Sequence, residues 1–117
     1  MVRFARTGGE ANAIAIRIAR SASGKEKVAF CGYHGWHDWY LAANLNNKNS
    51  LDKHLISDLN PLGVSSKLKN TSFGFEYNNF NQLKKIVEKE NIGIIKMEVS
   101  RNKQPNIKFL KKVRDLA

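Results

Sequence analysis

From Glu10 to Ser23 the chain reads EANAIAIRIARSAS. Alanines and isoleucines cover most of the helical circumference and leave Arg17 and Arg20, three apart, to mark a polar side. A helix apolar on so many faces is expected to be largely buried. Gly24 stands where a C′ glycine ends a helix. Lys27 to Cys31, KVAFC, is a short apolar run that predicts a buried strand. Further on, Phe80, Leu83, Ile86 and Val87 share one stripe and predict a helix from Phe80 to about Glu90. Asn79 is its expected N-cap, with Gln82 three residues on as the capping-box partner. Gly93 to Met97 predicts a strand that ends at Glu98. Pro105 is placed to open a last helix, with Ile107, Leu110 and Val113 on its apolar stripe. Val2-Arg3-Phe4 reads as a short strand ended by Thr7-Gly8-Gly9, and Thr71 to Phe75 as another. Between Leu41 and Asn70 no period holds. NLNNKNS, Pro61 and Gly63 carry turn chemistry, and a loop of that length is usually functional or mobile.

Strands that alternate with helices predict an α/β fold with a mainly parallel sheet and helices on its faces. Ligands in such sheets bind at the carboxyl ends of the strands. Three peculiar stretches follow strands: Thr7-Gly8-Gly9, Gly32 to Tyr40, and Glu98 to Asn102. The fold would gather them on one edge. No internal repeat or linker divides residues 1–117.

Composition narrows the functional classes. No run of about 18 apolar residues exists, so no membrane-spanning helix is expected. The start, MVRFARTGGEANA, lacks the apolar core of a secretory signal. A single cysteine cannot form an internal disulfide, which suits a reducing, cytoplasmic setting. The net charge of +10 raises nucleic-acid binding as an idea. Most of that charge is lysine spread along helical stretches, the usual signature of solvated faces, so no nucleic-acid partner is expected.

The chemistry-bearing residues each admit a plain reading beside a functional one. Thr7-Gly8-Gly9 before a helix could cradle a phosphate on backbone N–H groups, or be an ordinary turn capped by Thr7. Glu10 suits the first turn but would have to point away from a phosphate. His34 and His37 could share a metal only on a helical backbone with a third ligand from His54 or Asp52, and neither HExxH nor CxxC is present. Trp36 and Trp39 are expected to pack in the core. Tyr33 and His34, between Gly32 and Gly35 and directly after a strand, are placed to cover a flat ligand. Glu98 either joins a polar network or is a solvated strand end.

Taken together, TGGEANAIAIRIARSASGK, FCGYHGWHDWY, MEVSRN and FLKKVRDLA resemble the class III aminotransferases, pyridoxal-phosphate enzymes of fold type I, with the glutamate-1-semialdehyde aminomutase branch nearest. The resemblance covers nearly the whole chain. It implies that Thr7, Gly8 and Gly9 hold the phosphate of pyridoxal 5′-phosphate. Tyr33 would cover its pyridine ring with His34 beside it, and Glu98 would belong to the polar network. Asn102 is the nearest match to an asparagine that reaches the phenolic oxygen in some members. It also implies a small amine or carbonyl substrate and a homodimer. Val99 stands where the family usually has proline.

The family's pyridinium-binding aspartate and Schiff-base lysine lie in segments beyond these 117 residues, and the chain stops inside its last predicted helix. The expectation is therefore a partial cofactor-binding domain that is not catalytic by itself. The alternative is a non-catalytic module for a phosphorylated small molecule or a partner chain.

Overall fold

In the computed structural model, residues 2–100, 104 and 106–117 are described. The organising element is β1 (Lys27–Cys31), four of whose five residues are buried. It lies between β2 (Ser72–Gly74) and β3 (Ile92–Met97) in a sheet of order β2-β1-β3. Both pairings are parallel, with Ala29 opposite Phe73 on one side and Ile95 on the other. The expected α/β architecture is thus observed. A central parallel strand covered on both faces must be apolar throughout, which is why KVAFC shows no alternation. Val28 and Phe30 enter one core with Trp39, Tyr40 and Leu51. Ala29 and Cys31 enter the other, with Phe75, Leu83, Phe109 and Val113.

Helix α1 (Gly8–Ser23) begins two residues before Glu10. Thr7 sets that start: its Oγ1 accepts from the Glu10 amide at 3.2 Å. Gly24 ends the helix at φ 65°, the left-handed C′ conformation expected of it. Its burial departs from the expectation. Ile16 is the one buried residue of the helix, while Ile14 and Ile18 are 39% and 59% exposed. The stripe holding Ala13 and Ile16 packs onto the first core, and among the described residues no element covers the other apolar faces. Val2 to Phe4 also departs: it pairs with no strand, and Phe4 is 93% exposed. A β ladder needs a partner edge, and this segment has none in the three-stranded sheet.

Helix α4 (Phe80–Lys89) is capped by Asn79, whose Oδ1 accepts from the Gln82 amide at 3.1 Å. The expected box is only half formed. Gln82 Oε1 accepts instead from the Glu76 amide at 2.9 Å, tying the helix to the end of β2. Helix α5 (Ile107–Leu116) is capped by Asn106, and Pro105 lies outside the described residues. The irregular stretch holds α2 (Asp38–Leu41), α3 (Ala43–Asn46) and one 3-10 turn at Ser66–Leu68. Its asparagines act as cross-ties. Buried Asn44 donates to the Leu59 carbonyl at 2.7 Å and accepts from the Leu51 amide at 3.1 Å. Asn46 donates to the Ser72 carbonyl at 3.0 Å and accepts from the Asn70 amide at 2.6 Å. Among the described residues no helix is long and apolar enough to cross a membrane.

Candidate functional site

At the carboxyl end of β1 the chain turns sharply over the start of α1. Gly35 sits at φ 102°, and a Cβ there would lie 2.8 Å from the Cα of Gly9. Only a glycine pair permits this approach. The contact opens a cleft of about 510 Å³ lined by Thr7, Gly8, Gly9, Tyr33, His34 and Glu98. These residues, separate in sequence, therefore meet in one place. Asn102, the remaining candidate, lies outside the described residues. A Cβ on Gly8 would meet nothing within 4 Å, so the first turn of α1 faces open space, with its N–H groups and dipole directed at the cleft.

Glu98 follows β3 and folds back against β1. Its amide donates to the Cys31 carbonyl at 3.1 Å. Its Oε2 accepts from the Tyr33 amide at 3.1 Å. Gly32 makes room for this: at φ 95°, a Cβ would stand 2.7 Å from that same Oε2. The solvated strand end considered above is thus not what the structure shows. Glu98 is part of a network that also positions Tyr33, whose half-buried ring meets Tyr40 edge-on at 5.8 Å.

His34 is 1% exposed and forms the floor. Its Nε2 donates to the Cys31 carbonyl at 2.9 Å, which leaves Nδ1 as the unprotonated nitrogen, buried without a partner. The ring packs edge-on to Phe30 and Tyr40 and tilted against Trp39. Burial lowers its pKa to about 4, the nearby Lys96 and His54 push the same way, and the Cys31 carbonyl opposes. His37 turns the other way, is exposed, and lies against Gly9, its Nε2 3.4 Å from where a Cβ would be. The two imidazoles diverge, and the described residues contain no group of three metal-binding side chains. His54, once a candidate third ligand, bonds Tyr40 Oη through Nδ1 at 3.2 Å. Burial lowers its pKa and raises that of Tyr40.

The two tryptophans also part. Trp39 is in the core, as expected, but Trp36 is 67% exposed on the cleft's rim. The positive φ of Gly35 turns the chain outward there. Three contributors escaped the sequence reading: His37 as a neighbour of Gly9, Asn12, whose Nδ2 donates to the His34 carbonyl at 3.4 Å, and Tyr77, whose Oη donates to the Glu98 carbonyl at 2.5 Å. Asn12 carried a signal, being the lone polar residue in ANAIAI.

No family model matches the chain. It is 36% identical over 88 residues to a 3-aminobutyryl-CoA aminotransferase from Cloacimonas acidaminovorans, covering 75% of this chain and 17% of that protein. It is 37% identical over 103 residues to a glutamate-1-semialdehyde 2,1-aminomutase from Methanobrevibacter smithii, covering 85% of this chain and 23% of that protein. An omega-transaminase from Sphaerobacter thermophilus shares its fold, with a TM-score of 0.75 at 19% identity over 97% of this chain and 28% of the other. The chain thus spans less than a third of the length of the proteins it matches. The resemblance read from TGGEANAIAIRIARSASGK, FCGYHGWHDWY, MEVSRN and FLKKVRDLA is shown: the chain is similar to aminotransferases and glutamate-1-semialdehyde aminomutases.

Proposed function

We propose that the cleft holds pyridoxal 5′-phosphate and that these residues form the phosphate side and ring wall of an aminotransferase or aminomutase site. The observation that carries the reading is the meeting of the α1 N-terminus, Tyr33 and Glu98 around one opening. The residues suit the group. An anion is favoured at a helix start, a flat ring can lie along Tyr33, and about 510 Å³ is within the range of small-molecule sites. When bound, the cofactor supplies an electron sink for bonds at the carbon bearing nitrogen.

The chain's own residues bind and orient. Thr7, Gly8 and Gly9 receive the phosphate, and His37, which lies against Gly9, is a further proposed contact. Tyr33 limits the tilt of the ring and keeps water from one face. Glu98 fixes Tyr33 through its amide, and the buried His34 keeps the floor rigid and neutral. Asn102 is proposed as a further contact. The substrate class is a small amine or carbonyl compound, and the whole protein is a cytoplasmic homodimer. These 117 residues alone are proposed to bind the cofactor without turnover.

The test is titration of the chain with pyridoxal phosphate, followed by tryptophan fluorescence from Trp36 on the rim. Saturable binding is expected, displaced by inorganic phosphate and at least about tenfold weaker for pyridoxal, which lacks the phosphate. Equal binding of pyridoxal would refute the phosphate cradle. Binding of phosphate but not of the ring would favour the module for other phosphorylated molecules.

A further inference from the structure

Beyond β2 the chain makes a tight turn through Tyr77 and Asn78. It is braced independently of β3. The Phe75 amide donates to the Phe30 carbonyl at 2.9 Å and the Asn79 amide to the Glu76 carbonyl at 3.2 Å. The Glu76 amide is held by Gln82 of α4. Asn78 takes the left-handed conformation, φ 64°, which asparagine tolerates better than most residues.

From that platform two side chains reach the segment between β3 and α5. Tyr77 Oη donates to the Glu98 carbonyl at 2.5 Å. Asn78 Nδ2 donates to the Gln104 carbonyl at 3.4 Å, and its Oδ1 accepts from the Asn106 amide at 2.7 Å. Asn106 in turn caps α5 by accepting from the Lys108 amide at 2.8 Å. The grip therefore falls on both ends of the crossover, at Glu98 and at Gln104 and Asn106.

We infer that Tyr77 is a positioning residue for the site, a clamp that sets where Glu98, and through it Tyr33, stands at the cleft, while Asn78 holds the start of α5. A glutamate held by its carboxylate alone can change rotamer and swing away. Here the Glu98 amide is fixed on Cys31 and its carbonyl on Tyr77, so the Cα between them has one place. From that place the carboxylate meets the Tyr33 amide across Gly32. The tyrosine hydroxyl acts through Glu98, without touching the ligand. The role of the clamp at a cofactor site rests on the function proposed above, whereas its hold on Glu98 can be tested without any cofactor.

The experiment uses the full chain and three variants. Tyr77→Phe removes one hydroxyl and keeps the ring in the second core. Asn78→Gly keeps the left-handed backbone and removes the side chain. Leu83→Ala is a control that lowers the stability of the second core, which Tyr77 shares, while leaving both partners of every clamp hydrogen bond in place. The readout is hydrogen exchange at the Tyr33 amide, taken relative to the amides of β1. Tyr77→Phe is expected to speed it about tenfold, and Asn78→Gly to do the same at the Asn106 amide, with Leu83→Ala changing neither ratio. Pyridoxal-phosphate affinity should fall about three- to tenfold in Tyr77→Phe and less than twofold in Leu83→Ala. An unchanged Tyr33 ratio in Tyr77→Phe, or an equal rise in Leu83→Ala, overturns the clamp. A wild-type chain that binds no pyridoxal phosphate overturns the proposed function, and the exchange ratios then decide the clamp by themselves.

Discussion

Single residues at the cleft separate into those whose geometry is forced and those that are open. Gly32 is forced twice, by φ 95° and by the Glu98 carboxylate 2.7 Å from any Cβ. Gly32→Ala should cost about 2–3 kcal/mol and displace Glu98, read as a lowered urea midpoint together with faster exchange at the Tyr33 amide. Gly8→Ala meets open space and should leave the midpoint within about 0.5 kcal/mol while placing a methyl at the mouth of the proposed phosphate cradle. His34 makes a different prediction. The folded chain keeps it neutral down to about pH 4, whereas the unfolded chain protonates it near 6.5. Between those values the unfolded state binds more protons. Stability is full above about 6.5 and falls as pH drops toward 4, by ~3 kcal/mol in the limit. His54, whose pKa is lowered too, adds in the same direction. His34→Phe should flatten the dependence of the urea midpoint on pH between 7 and 5, and an unchanged slope would rule out His34 as its source. Gly32, Gly35 and Tyr33 are legible because they directly follow β1, whereas Gly8 and Gly9 follow no strand and are legible as the turn that opens α1. The divergence of His34 and His37 is not, since the backbone turn at Gly35 determines which way each ring points.

Elements show where local pattern suffices and where it does not. KVAFC could only be an inner strand, and Gly24 and Asn79 announce helix ends through chemistry that acts within a few residues. Thr7 is legible in the same way, and the oxygen that caps α1 also stands at the proposed phosphate cradle. Thr7→Ala should lower stability by about 1 kcal/mol through the lost cap, and Thr7→Ser should restore it, both measured by thermal melting. Phosphate affinity should follow the same order if Thr7 also faces the ligand. The capping box is half legible: Asn79 caps, but Gln82 reaches Glu76 because the end of β2 lies close by. The sequence from Leu41 to Asn70 shows loop chemistry with no period. Its ties run from Asn44 to Leu59 and from Asn46 to Ser72, over separations that no local period encodes. The apolar circumference of α1 was misleading in a further way. Composition reports how much surface a helix can bury, and only its neighbours decide how much it does.

For the molecule as a whole, the two cores lie on opposite faces of the sheet, and β1 belongs to both. Phe30 stands on one side, with Trp39, Tyr40 and His54 rings around it at 5.0–5.7 Å and, for His34, 6.1 Å. Ala29 and Cys31 face Leu83 and Phe109 on the other. Losing one core strips β1 of half its cover, so neither side should melt alone. Leu83→Ala, a fully buried site, is expected to cost about 2–5 kcal/mol. Although Leu83 lies in the second core, the loss should appear equally at Trp39 in the first. Near-ultraviolet circular dichroism follows the tryptophan environment, and amide exchange in α5 follows the other side. The two urea midpoints should coincide in the wild-type chain and shift together in the variant. A Trp39 signal that stays at its wild-type midpoint while α5 loses protection would show two separate folding units. The cleft, whose floor is His34 in the first core and whose Glu98 is held by Tyr77 from the second, would then not be a rigid site.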